Sequence, residues 1–453
     1  MCEIEKNIYI KKRVKLPRHL SIVHLSNERV LVIDSQSPNW ITINSDIEFM
    51  FFNLLQKGKS IKEIYAELNL ENNQSQETEF KNILIEIYNN NFFNTSDNHT
   101  INNYTDLTIY LTDRCNLNCS HCYRYERKVK KELSAQIWKK LLQDFINLDH
   151  CGHFVTFTGG EISLRNDFAE LLAFSHSLGL KNILLSNGTV WEYSDYNKIV
   201  NHSYEIQISL DGITEDQNDE IRGNGTYKKI LKSLKTLVKI SNKKNPSLRI
   251  ALAMTFLPKD LQYIEQNIRL YKEKLENNLQ RKIIFRISTR LKPGRKIEAL
   301  TPESQFKYYL LTSRIKNLLY EDEFFENKLF NSICFHPYKK VLNCGFGQSI
   351  GVQPNGDVFA CSESTNEFVG NITKVPLNKI SNSLKTIFLN TSIYKMKKCT
   401  TCDLKYICGG GCRLENQKST GSYLSPYLCS DDLNFKKFIY NIMADKRKWS
   451  WSI

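Results

Sequence analysis

Apolar residues along this chain follow two periodicities, and the change between them divides it. Between Leu107 and Thr289 the runs LTIYL, FVTFTG, NILLSN, EIQISL, RIALAM and IIFRIS alternate with longer stretches such as ELSAQIWKKLLQDFINL, NDFAELLAFSHSLGL and YKKILKSLKTLVKI. The short runs are continuously apolar and rich in β-branched residues, as strands buried on both faces of a sheet should be, whereas the longer ones carry apolar residues at helical spacing. Strand then helix, six times over, predicts parallel strands joined by crossover helices. Six units are too few for an eight-stranded barrel, so the expected fold class is α/β, an open, partial (β/α)6 barrel. In such sheets ligands sit at the C-terminal ends of the strands.

The N-terminal segment reads differently. Strand-like runs SIVHL, RVLVID and WITIN precede three helical stretches, SDIEFMFFNLLQKG, SIKEIYAELNL and QETEFKNILIEIYNNNFF. Ser45 and Ser60 are the expected N-caps, and Gly58 closes the first helix. Three strands followed by three helices predict a small winged-helix-like α+β domain. A chain of 453 residues, 41% of them hydrophobic, can supply cores for several domains. The expected division is residues 1–100, 101–310 and 311–453.

Composition narrows the partners. No window approaches the roughly 18 consecutive apolar residues that span a membrane, and no apolar stretch follows MCEIEKNIYIKKRVK, so a cytoplasmic protein without a membrane partner is expected. The net charge of +14 comes from lysines scattered over helix faces, and an acidic peptide is the main partner it could suit. A DNA-reading helix would carry basic residues, yet SIKEIYAELNL sets Lys62 against Glu63 and Glu67, so no nucleic-acid partner is expected.

Thirteen cysteines change the picture most. In a chain without a secretion signal, clustered cysteines bind metal more readily than they form disulfides. Cys115, Cys119 and Cys122 lie in RCNLNCSHCY, immediately after the first predicted barrel strand and therefore on its ligand-binding rim. Structural zinc wants four ligands in closed tetrahedral geometry, and three thiolates leave a corner open. A [4Fe–4S] cluster held by three thiolates would leave one iron free for a substrate or cosubstrate. Cys334, Cys344, Cys361, Cys399, Cys402, Cys408, Cys412 and Cys429 crowd the C-terminal third, a second metal-binding region. Cys2 and Cys151 stand apart as bystanders.

The pattern Cys115-x3-Cys119-x2-Cys122 at the first strand end resembles the signature of radical S-adenosylmethionine (SAM) enzymes. In that family the free iron chelates SAM, and reduction cleaves it to a 5′-deoxyadenosyl radical that takes a hydrogen atom from substrate. The resemblance implies that His121 lies near the adenine. TFTGGE looks like the family's Gly-Gly-Glu motif, so Gly159, Gly160 and Glu161 are expected at the methionine amino group. Ser186 and Asn187 end the third strand, and Gln207, Ser209 and Asp211 the fourth, with Ser209 the implied ribose contact. NDEIRG matches His-Asp-x-x-Arg-Gly with Asn218 in place of histidine, which leaves Asp219 and Arg222, the latter a guanidinium fork for the SAM carboxylate. Gly294 and Arg295 resemble the segment that closes the barrel in related maturases.

Cys344, Gly356, Cys361, Cys399, Cys402, Cys408, Cys412 and Cys429 match the arrangement of the SPASM domain of peptide-modifying radical SAM enzymes. The resemblance assigns Cys399, Cys402, Cys408 and Cys429 to an outer cluster and Cys344, Cys361 and Cys412 to an inner one. Cys334 is either the inner cluster's fourth ligand or a small buried hydrophobe that leaves an open iron. Three [4Fe–4S] clusters and SAM follow as cofactors, with an external donor such as flavodoxin or ferredoxin. The N-terminal domain resembles the leader-recognition element of enzymes that modify ribosomally synthesised peptides, where an extended leader adds a strand to a sheet edge. The implied function is a maturase that cross-links a precursor peptide by a thioether, carbon–carbon or ether bond. The alternatives are a formylglycine-generating sulfatase maturase and a non-catalytic peptide-binding iron–sulfur scaffold.

Overall fold

The computed structural model describes residues 14–26, 29–93, 105–126, 131–149, 151–191, 193–320, 340–361, 363–364, 366–429 and 435–444. Cys2 and Cys334 fall outside them. The chain forms two compact units, one of residues 1–102, 333–344 and 391–453, the other of residues 103–332 and 345–390. The first unit thus draws on both ends of the chain, and the second takes in residues 345–390.

In the second unit, strands β4 (Thr105–Thr112), β5 (Cys151–Gly159), β6 (Lys181–Ser186), β7 (Glu205–Ser209), β8 (Arg249–Met254) and β9 (Ile284–Ile287) lie side by side in chain order, all parallel. These are the six predicted strands, arranged as the partial (β/α)6 barrel. Helices between them bury one stripe each, as Trp138, Leu141, Leu142 and Phe145 do in Ala135–Ile146. The sheet does not stop at β4. Strand β10 (Ile350–Val352) runs parallel to β4, with Gly351 opposite Thr108, and the antiparallel β11 (Asp357–Phe359) and β12 (Phe368–Asn371) complete a nine-stranded sheet. The VQPNGDVFAC turn, with Gly356 at φ +91°, thus caps the otherwise open edge of the barrel.

In the first unit, β1 (Leu20–Ser26), β2 (Arg29–Asp34) and β3 (Trp40–Ile43) form an antiparallel sheet in that order. Helices α1 (Asp46–Gln56), α2 (Ile61–Glu67) and α3 (Gln74–Asn89) follow. The Ser45 hydroxyl accepts from the Glu48 N–H, and Ser60 and Glu63 form a reciprocal capping box. Val30, Val32, Ile41 and Ile43 pack with Phe51, Phe52, Phe80 and Ile83 in one core. Leu31 and Ile33, on the opposite face of the pleat, are equally buried. What covers that face is the C-terminal helix α4 (Phe435–Ala444), which packs on all three strands and whose Met443 carbonyl accepts from the Trp40 indole. Among the described residues, no helix is long and apolar enough to cross a membrane.

Candidate functional site

The C-terminal ends of β4 to β9 open into a cavity of about 520 Å³. Cys115, Cys119 and Cys122 line it, and all three are free thiols. Two glycines make the loop possible. A Cβ on Gly159, at φ +146°, would meet the Thr112 carbonyl oxygen at 2.3 Å, and one on Gly160 would meet that of Arg114 at 2.2 Å. The end of β5 therefore passes directly under the start of the cysteine loop, and the Gly160 and Glu161 N–H groups donate to those same carbonyls at 2.7 and 2.8 Å. From above, a Cβ on Gly294 would meet the His121 backbone at 2.5 Å, and the Lys296 N–H donates to the Ser120 carbonyl. The loop is clamped between the ends of the second and sixth barrel strands.

Electrostatics reinforce that clamp. Asp211 is 2% exposed and faces Arg222 Nε at 2.6 Å and His121 Nε2 at 3.3 Å, while its second oxygen accepts from the Thr255 N–H at 2.7 Å. Burial works against the charge on Arg222, but Asp211 and the neighbouring thiols outweigh it and the pKa rises. Burial lowers the His121 pKa against the pull of Asp211, so the ring is neutral at pH 7. Burial also pushes the Cys119 thiol up to about 11 and raises Cys115. Thiols held this way become thiolates when a polyvalent cation joins them.

Gly159, Gly160, His121, Ser186, Asn187, Ser209 and Arg222 all line the cavity, as does Arg295, whose guanidinium lies 5.5 Å from the centre of the Tyr125 ring. Asn187 Nδ2 donates to Asn116 Oδ1 at 2.9 Å and reaches Cys115 Sγ at 3.9 Å, tying the third strand end to the cysteine loop. Glu161 bridges two strand ends. It is fully buried and absent from the cavity wall, and its carboxylate accepts from the Ser163 N–H and hydroxyl, the Ser186 hydroxyl at 2.7 Å and the Asn187 N–H at 2.7 Å. Three donors meet its Oε1 and one its Oε2, so it fastens β5 to β6. Asp219 is likewise structural, accepting from the Gly225 and Tyr227 N–H groups at the start of the helix Thr226–Lys244. Thr255, Ser288, Tyr123 and Lys292 line the cavity unanticipated. The rule that ligands gather at strand ends would have found the first two, which follow β8 and β9.

The first unit holds the outer cysteine set. Burial, then mutual repulsion, pushes Cys399 and Cys408 up to about 12, and burial raises Cys402 and Cys429. Each of the first three feels the charge of Cys429, so tertiary folding has gathered four thiols whose chain positions span thirty residues. Such a set is stable as thiolates only around polyvalent iron or zinc. Gly409, Gly410 and Gly411 are consecutively left-handed, at φ +64°, +78° and +74°. Their carbonyls wrap the fully buried Arg413 and Asn416: Arg413 donates to Gly409 and Gly411, and Asn416 to Gly410. Neither side chain was anticipated. The Arg413 N–H also reaches Cys344 Sγ at 3.4 Å, placing Cys344 beside Cys412, whereas Cys361 belongs to the barrel unit.

Comparison with known families agrees with this arrangement. Residues 109–270 match the Radical SAM superfamily and residues 344–403 the SPASM iron–sulfur cluster-binding domain. The chain contains a radical SAM domain and a SPASM domain. Mycofactocin maturase MftC of Mycolicibacterium smegmatis is 27% identical over 328 residues, covering 68% of this chain and 77% of that protein. Sporulation killing factor maturation protein SkfB of Bacillus subtilis is 34% identical over 152 residues, 35% of its length. Among solved structures, Streptococcus suis SuiB has the same fold, with a TM-score of 0.55 at 17% identity over 92% of this chain and 100% of that one. The structure described as native anSMEcpe with bound AdoMet reaches the same TM-score over 76% of this chain.

The donor set fits the cofactors that these two domains take. Among the described residues, no three His, Cys, Asp or Glu side chains close on a single ion. A cubane cluster spreads its thiolates wider than a mononuclear zinc site with Zn–S bonds of about 2.3 Å. Cys115, Cys119 and Cys122 would hold a [4Fe–4S] cluster at the cavity wall, beside room for SAM.

Proposed function

We propose that the protein is a maturase that oxidatively modifies a ribosomally made precursor peptide, most simply by a thioether, carbon–carbon or ether cross-link. The observation that carries this reading is the cavity wall itself, where three thiols on one loop share a 520 Å³ space with the strand-end residues Ser186, Asn187, Ser209 and Arg222. Three relatives named as maturation or biosynthesis proteins for mycofactocin, the sporulation killing factor and subtilosin support the substrate class. So does the fold shared with SuiB, which has been solved bound to precursor peptide SuiA.

When bound, the cluster and SAM supply a hydrogen-abstracting radical. The chain's own residues orient and shield. Arg222, held by Asp211, presents its guanidinium to the SAM carboxylate, and Ser209 meets the ribose. The neutral His121 offers an aromatic face for the adenine without adding positive charge beside a sulfonium. Gly159 and Gly160 let the strand backbone approach the methionine amine, and Glu161 beside them braces that strand end. Cys399, Cys402, Cys408 and Cys429 hold an outer auxiliary cluster, and Cys344, Cys361 and Cys412 contribute to an inner one, making three [4Fe–4S] clusters with an external flavodoxin or ferredoxin as electron donor. The winged-helix-like sheet of β1 to β3 captures the leader along an edge.

The test is anaerobic reconstitution with iron and sulfide, followed by SAM, a reductant and short peptides encoded in the same genome as candidate precursors. The expected products are 5′-deoxyadenosine and a peptide two hydrogens lighter per cross-link. Zinc alone in the purified protein, or a cluster whose spectrum ignores added SAM, would overturn the reading.

A further inference from the structure

A buried carboxylate away from the barrel cavity joins the outer cysteine loop to the N-terminal sheet. Asp403 follows Cys402 directly and is 8% exposed. Its Oδ2 accepts from the Ser21 hydroxyl at 2.8 Å and the Tyr440 hydroxyl at 2.6 Å, and its Oδ1 pairs with Lys436 Nζ at 2.8 Å. Ser21 lies on β1, an edge strand, while Lys436 and Tyr440 lie on α4, the helix that covers the back of that sheet. One side chain thus gathers donors from both ends of the chain at a position adjacent to a cluster ligand.

The arrangement is asymmetric in a useful way. On the sheet side, among the described strands β1 pairs only with β2, with an irregularity between His24 and Ser26, so its order depends on what else holds it. On the cysteine side, the segment from Cys399 to Cys408 is two four-residue helices and turns, whose internal bonds are short-range. A metal cluster ties Cys399, Cys402, Cys408 and Cys429 together much as a staple would, and binding that organises a loop is folding free energy for whatever the loop supports. The Lys436 ammonium also lies near enough to Cys402 and Cys429 to favour their thiolates, so it serves as counter-ion to the loaded cluster and to Asp403 at once.

We propose that Asp403 makes the order of strand β1 conditional on the outer iron–sulfur cluster, so that cluster loading sets the N-terminal sheet. Asp403 acts here as a positioning residue. Its consequence for peptide capture rests on the maturase reading, whereas the ordering of β1 does not.

Hydrogen exchange read by mass spectrometry on the reconstituted full-length protein, without peptide, tests it. Cys429→Ala removes one outer ligand; Ser21→Ala and Asp403→Asn cut the tie while all cluster cysteines remain. In Cys429→Ala the amides of β1 should exchange at least fivefold faster, while β6 in the barrel unit stays as protected as in the parent. Ser21→Ala should speed β1 exchange with iron content and cluster absorbance unchanged, and Asp403→Asn should do so more strongly. Equal β1 protection in Cys429→Ala and the parent would overturn the proposal. So would a loss in Cys429→Ala that neither Ser21→Ala nor Asp403→Asn reproduces, because the coupling would then run elsewhere. Failure in this experiment leaves SAM cleavage untouched, and failure of SAM cleavage leaves β1 exchange untouched, so the two readings are separable.

Discussion

Replacing Glu161 by glutamine distinguishes a fastening carboxylate from a cofactor ligand. The parent side chain is fully buried and accepts from Ser163 N–H and Oγ, Ser186 Oγ and Asn187 N–H at distances from 2.7 to 3.2 Å. Glutamine offers one oxygen and one NH2. In its better orientation the oxygen keeps the Ser163 and Ser186 donors, and the NH2 is forced against the Asn187 N–H. A buried unsatisfied N–H costs about 1–3 kcal/mol, and the surviving bonds weaken as they lose charge assistance, adding about 1–2 kcal/mol. The sum, about 3 kcal/mol, corresponds to a fall in Tm of about 6–12 °C at the 2–4 °C per kcal/mol typical of domains of about 150–250 residues. Scanning calorimetry of the reconstituted Glu161→Gln protein should show that fall, with SAM affinity well below the transition changed by less than about threefold, under 1 kcal/mol. A Tm within about a degree of the parent, together with a loss of SAM affinity beyond tenfold (about 1.4 kcal/mol), would refute the argument and return the carboxylate to the methionine amine.

Other substitutions report on neighbouring contacts. Gly160→Ala places a methyl 2.2 Å from the Arg114 carbonyl, backbone against backbone, so the cysteine loop must move. The SAM-sensitive electron paramagnetic resonance signal should disappear while the outer-cluster signal persists. Arg222→Lys trades a fork for a point charge beside Asp211 and should weaken SAM binding by about tenfold or more, measured by equilibrium dialysis. Lys316 has its ammonium pushed down to about 8 by burial, with Arg286 adding to the effect, against an ordinary 10.5. Between those values the unfolded chain holds a proton that the folded chain has released, so stability should rise with pH from about 8 upward. Lys316→Met should flatten that rise in thermal melts taken between pH 8 and 9.5, a window chosen inside the two pKa values.

Much of the site was legible because its chemistry is local. The trio is a loop of eight residues, and its spacing alone places three thiols on one turn after a strand. Ser186, Asn187 and Ser209 were recognisable as strand-end residues because a parallel α/β sheet puts all its C-terminal ends on one rim. Glu161 marks where the local pattern runs out. A carboxylate after two glycines has the same pattern whether it meets a ligand or the next strand, and only the register of β5 against β6 brings Ser186 and the Asn187 N–H to it. Arg413 had no local signal, since its partners are carbonyls of a glycine turn and of Thr391.

Apolar periodicity, cap residues and cysteine spacing by themselves determined the strands and helices, the parallel barrel and which cysteines are candidates to bind metal. Each of these depends on interactions within one or two turns of chain, where sequence and geometry are nearly equivalent. Tertiary structure alone decided that β10 extends the barrel sheet from β4, that helix α4 covers the N-terminal sheet, and that Asp403 joins that sheet to the outer cysteines. Those outcomes follow from buried faces and edges seeking partners hundreds of residues away, a competition among all exposed surfaces that no local pattern encodes.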